Sequence, residues 1–149
     1  MRSRSGRRGA LLLAFAALSV GCGKFQQARE CGSFVKTVNA WLSRPEERGA
    51  ADAGASSDPK QVAVEARRTA AHYAELAQRL AALHVQSEEL APRVKRYQDI
   101  AENADRTLQE VADALEHGDL ALARKKRVDF DTVAKREPAL VKEINGLCR

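Results

Sequence analysis

At 149 residues the chain has room for one domain and enough length to bury a core without metals. Its 25 Lys and Arg against 20 Asp and Glu give a formal charge of +5, but Arg2, Arg4, Arg7 and Arg8 crowd its beginning. Setting those four arginines aside leaves 21 bases against 20 acids, so the basic balance is no argument for a nucleic-acid partner.

The arginines are followed by an apolar run, Ala10 to Leu18, and then by Leu18-Ser19-Val20-Gly21-Cys22. A charged start, a short apolar stretch and a small residue before a cut mark a secretory signal peptide over residues 1–21. The run is too short to span a bilayer. The pentapeptide resembles the lipobox of bacterial lipoproteins, with Ser19 standing where Leu is usual and Leu18 one place further back. That resemblance implies cleavage between Gly21 and Cys22. It also implies several acyl chains on Cys22, palmitate-like, as the one covalent group, with residues 22–23 opening the mature chain. More than one chain makes a permanent membrane tether. Gly23 stands where an inner-membrane retention signal would place an aspartate, which points to the outer membrane, facing the periplasm. Arg7-Arg8 leaves both general secretion and twin-arginine export open.

Residues 24–149 read as helices. From Lys24 to Arg44, Phe25, Ala28, Cys31, Phe34/Val35, Val38 and Trp41/Leu42 recur at spacings of three and four. Gly32 weakens this helix and Pro45 ends it. Residues 46–57 are rich in Gly, Ala, Asp and Ser and read as a flexible loop. Asp58 and Pro59 open a second helix with inward positions Val62, Ala66, Thr69, Tyr73, Leu76, Leu80 and Leu83. After a break at His84–Ser87, a third carries Leu90, Val94, Tyr97, Ala101, Ala104, Leu108, Val111 and Leu115. Gly118 ends it, and Asp119 caps a fourth through Leu120, Ala123, Phe130, Ala134, Leu140/Val141, Ile144 and Leu147/Cys148, kinked at Pro138.

Four heptad-like helices with mostly short connections imply an all-α, up-down-up-down four-helix bundle with coiled-coil-like packing, the first helix shortest. In that topology Cys31, early in the first helix, lies beside Cys148 at the end of the last. With Cys22 assigned to lipid, Cys31 and Cys148 are the remaining pair for a disulfide, in a compartment that permits one.

Catalytic and cofactor motifs are missing: no Cys-x-x-Cys-His, no Gly-rich phosphate loop and no zinc-type cysteine spacing. His84 and His117 lie at opposite poles. His72 and Glu75 share a helix face without the further acids that di-metal bundles use. The densest charge run, Arg124-Lys125-Lys126-Arg127, is a candidate contact for an anionic envelope partner, with Arg127 turned inward. Arg93, Lys95 and Arg96, at the tethered end, are better placed for lipid headgroups. The short signal, the early Cys31 and the ending Val141 to Arg149 make the chain similar to small helical lipoproteins of bacterial envelopes. The expectation is a non-catalytic, lipid-tethered protein acting on an envelope protein or polymer, with its oligomeric state open. The alternative is a helical binding module holding a small apolar ligand between alanine-rich helices, and an enzyme would need a polar cleft with convergent titratable groups.

Overall fold

The computed structural model describes residues 19–43 and 58–149, with side chains from Gly23 onward. Five helices follow in order: α1 Ser19–Leu42, α2 Pro59–Ala81, α3 Ala91–Glu116, α4 Leu120–Ala134 and α5 Glu137–Leu147. Among the described residues there is no strand. The expected signal segment up to Leu18 and the expected loop at 46–57 lie outside the described residues. Helix α1 begins earlier than Lys24, and its 24 residues make it shorter than α3 with 26. It runs unbroken through Gly32.

Side-chain caps place the starts of α2 and α4. The Asp58 carboxylate accepts the Lys60 N–H at 3.0 Å, and Pro59 occupies the first helical position, where a missing N–H costs nothing. Ser87 Oγ accepts the Leu90 N–H, capping the turn that leads into α3. Gly118, at φ +75°, takes the left-handed conformation that closes α3, and Asp119 accepts the Leu122 N–H at 2.9 Å to open α4.

The expected kink at Pro138 is a full break, so the fourth rod is two helices. Proline cannot donate to the carbonyl four residues earlier, that of Ala134, and its ring clashes there. Helix α4 ends at that residue. The chain tightens through Arg136 N–H to Val133 O and restarts as α5 with Pro138 in its first turn.

Two clusters form the core. The larger joins Cys31, Phe34, Val38 and Trp41 of α1 to Leu76, Ala77 and Leu80 of α2, Leu90, Val94, Tyr97 and Ala101 of α3, and Leu140 and Ile144 of α5. The smaller is Ala63 and Ala66 of α2 against Val111 and Ala112 of α3. Arg67, early in α2, pairs with Asp113 and Glu116 near the end of α3 at 2.7 Å each.

The third helix buries the expected stripe, with only Leu115 left partly exposed. On α2 the expected Ala66, Leu76 and Leu80 are buried, but the rest of the buried face is displaced from the expected stripe. Ala63, Ala66, Ala70 and Ala77 carry the close contact with α3, while Val62, Thr69 and Tyr73 sit at its margin. Alanine permits a close helix approach that Val62 would prop apart. On α4 only Ala123 is buried, and Leu120 is 47% exposed, because this helix packs mainly on α3. On α1 the expected Phe25, Val35 and Leu42 face outward.

Candidate functional site

Two places concentrate polar chemistry: the end of the bundle where α1 meets α5, and the break between α4 and α5. At the first, Cys31 and Cys148 are joined in a disulfide, their Cα atoms 5.6 Å apart. Cys31 is buried and Cys148 half-buried. Lys24, Gln27, Glu89 and Arg149 border a cleft of about 540 Å³ beside the bridge.

Next to Cys31 in the chain, Glu30 clasps the loop between α2 and α3. Its carboxylate accepts the Gln86 N–H at 3.1 Å and the Ser87 N–H at 3.0 Å. Desolvation works to raise its pKa, but the hydrogen bonds from Gln26, Ser87 and Gln86 together outweigh it and hold the carboxyl below its ordinary value. His84 in that loop takes φ +44°, a left-handed conformation, with its side chain exposed.

At the second place, Tyr97 donates its hydroxyl to the Glu137 carboxylate in the first turn of α5. Tyr97 is buried in the core, so its hydroxyl needs a partner, and the break before Pro138 puts one there. Burial, then the nearby Glu137 charge, push the Tyr97 phenol far above its ordinary value. The same two causes push Tyr73 up to about 12. The Tyr73 ring packs edge-on against Phe130 of α4 at 6.0 Å, bridging α2 to the last rod. Outside the break, a cleft of about 620 Å³ has Ile100, Val133 and Leu140 on its floor and Arg96, Lys135 and Arg136 on its rim.

The bases singled out in the sequence are dispersed and mostly engaged. Lys126 pairs with Glu110 at 2.7 Å and Arg127 with Asp131 at 3.5 Å. Arg127 is exposed rather than turned inward, its guanidinium 5.8 Å from the Phe130 ring. A helix advances 100° per residue, so four consecutive bases cannot share one face. Arg124 and Lys125 remain exposed to solvent. At the other end, Lys95 pairs with Asp99 at 2.9 Å, Arg96 pairs with Glu143, and Arg93 donates to the Glu89 carbonyl.

The histidines converge on nothing. His72 stacks on Trp41, ring centroids 4.3 Å apart, while the Trp41 indole N–H donates to the His72 carbonyl at 3.1 Å. His117 caps the end of α3 through its Nδ1 and the Asp113 carbonyl. Among the described residues no group of three or more His, Cys, Asp or Glu is placed to hold a metal. No helix of the described residues is long and apolar enough to cross a membrane. The alanines of α2 and α3, around which the ligand-binding alternative would place a cavity, are closely packed, with Ala63, Ala70, Ala104 and Ala112 at most 1% exposed.

The tyrosine–glutamate contact is absent from the sequence reading, although it left a signal. Tyr97 falls on an inward stripe with a hydroxyl to satisfy, and Glu137 immediately precedes the proline that breaks the rod. In comparison with known proteins, the chain matches no family model, no curated protein and no solved structure.

Proposed function

We propose that the chain is a lipid-tethered protein of a bacterial envelope. Residues 1–21 direct its export, Cys22 carries the acyl chains, and an up-down-up-down bundle does non-catalytic work through contacts with an envelope protein or polymer. The outer membrane, periplasmic side, is the location that Gly23 favours. The observation that carries this reading is the use of the cysteines. Cys31 and Cys148 are committed to each other, which leaves Cys22, directly after the small Gly21, as the one cysteine for lipid. A disulfide also suits an oxidising compartment better than the cytosol. Support for the helix order comes from the pairings of Arg67 with Asp113 and of Lys126 with Glu110, together with the bridge.

Replacing the acylated residue tests the proposal. Cys22→Ser should block lipid attachment and cleavage after Gly21, leaving a longer chain that no longer incorporates labelled palmitate. A variant that is still cleaved at the same bond and still takes up palmitate would overturn it.

A further inference from the structure

Helix α1 has a second face. Cys31, Phe34, Val38 and Trp41 are buried in the core. On the opposite side of the helix, Phe25, Arg29, Gly32 and Lys36 follow at spacings of three and four. Phe25 is 68% exposed, and Val35 and Leu42, on one flank of the helix between this stripe and the buried one, are 37% and 51% exposed. A Cβ added at Gly32 would meet nothing within 4 Å, so the middle of the face is open.

Its charge has one sign. The single acid of α1, Glu30, is turned to the backbone of Gln86 and Ser87. Lys24, Arg29 and Lys36 are exposed and form no ion pair among the described residues, whereas Lys95 and Arg96 of α3 are both held by acids. Exposed apolar side chains interleaved with unopposed bases are what an anionic lipid surface binds. Two copies pairing through this face would set Arg29 and Lys36 against the same bases of the partner, which disfavours self-association.

We propose that the outer face of α1 lies along an anionic bilayer, Phe25 and Val35 at the headgroup boundary and Arg29 and Lys36 on the phosphates. The bundle then rests on its side instead of standing on its tether. This rests on the lipid-anchor reading, because the acylated residue of that reading stands three places before Phe25 in the chain. At 1.5 Å per residue Val35 is ~20 Å along the helix from Cys22, so a standing bundle would hold it clear of the acyl chains.

The test uses the mature lipidated protein reconstituted in vesicles with brominated acyl chains, either phosphatidylcholine alone or phosphatidylcholine with phosphatidylglycerol. Val35→Trp reports on the face, Leu42→Trp serves as a second reporter should the first disturb folding, and Val128→Trp on α4 is the control. The native Trp41 is buried and contributes the same background to all three. In anionic vesicles the α1 reporter should be quenched several-fold more than the control. That excess should vanish with Arg29→Glu and Lys36→Glu together, and weaken in phosphatidylcholine alone. Protein that floats with the vesicles while both reporters are quenched no more than the control overturns the face and leaves the tether standing, with a protein as the occupant. Protein found unlipidated but still showing the excess quench keeps the face without the tether. Protein that neither floats nor is quenched overturns both.

Discussion

Cys31 and Cys148 are 117 residues apart in sequence, and the disulfide between them holds the middle of α1 against the end of α5. A terminal helix of 11 residues is too short to be stable alone, so its docking depends on this bridge and on Leu140 and Ile144. Closing so long a loop stabilises the fold by up to about 4–5 kcal/mol in the chain-entropy model. A Cys22→Ser protein unfolded without reductant should expose no reactive thiol, and reduction should expose two. Two thiols before reduction would contradict the bridge. Cys148→Ser should lower the unfolding free energy by a sizeable part of the same figure and loosen α5 first, as read by amide exchange.

The two tyrosines of the chain, Tyr73 and Tyr97, both sit near Glu137, and burial followed by that charge raises both. A tyrosine raised in the folded state is bound to its proton more tightly there than in the unfolded chain, whose value is about 10. Its stabilising contribution is therefore complete below pH ~10 and lost as pH rises through the folded value, about 12 for Tyr73. Tyrosinate absorbance should stay low at pH 10 and rise only together with loss of the helical signal. Half-ionised tyrosine at pH 10 in a protein still fully helical would refute this. Tyr97→Phe should remove the hydrogen bond to Glu137 at a cost of about 1–2 kcal/mol.

Ala112 is fully buried where α2 and α3 meet, beside Ala63 and Ala66. A leucine there has no room, and overpacking a close helix contact costs about 1–3 kcal/mol. Ala121 lies exposed on α4, and the same substitution there should be within about 0.5 kcal/mol of neutral. Thermal unfolding of Ala112→Leu and Ala121→Leu compares the two. Equal melting temperatures would mean that the alanine contact is not the tight one described.

The third helix was the most legible part, and it is buried on the most sides. With α2, α4 and α5 all packed on it, nearly every apolar residue at its inward spacing found a neighbour. Helix α4 was the least legible for the opposite reason. Leu120, Ala123, Phe130 and Ala134 have helical spacing, but the helix leans on α3 almost alone, and Leu120, Leu122 and Val128 stay outside. Periodicity says which residues share a face, and only neighbouring helices say how much of that face is covered. The same rule explains α1, where Phe25 and Val35 looked as inward as Phe34. It explains Arg96 as well: this base was read as a lipid-headgroup contact, and its partner Glu143 comes within reach only once α5 is in place.

By itself the sequence determined the helical class, the helix ends marked by Asp58, Ser87, Gly118 and Asp119, and the pairing of Cys31 with Cys148. These follow from local capping chemistry, apolar spacing and the small number of cysteines, none of which needs a third dimension. Only the tertiary structure decided that the fourth rod breaks ahead of Pro138, that alanines rather than Val62 and Tyr73 form the α2–α3 contact, and that Tyr97 meets Glu137. Each depends on the distance between helices, which is set by the packing of side chains from several elements at once and is written in no single stretch of the chain.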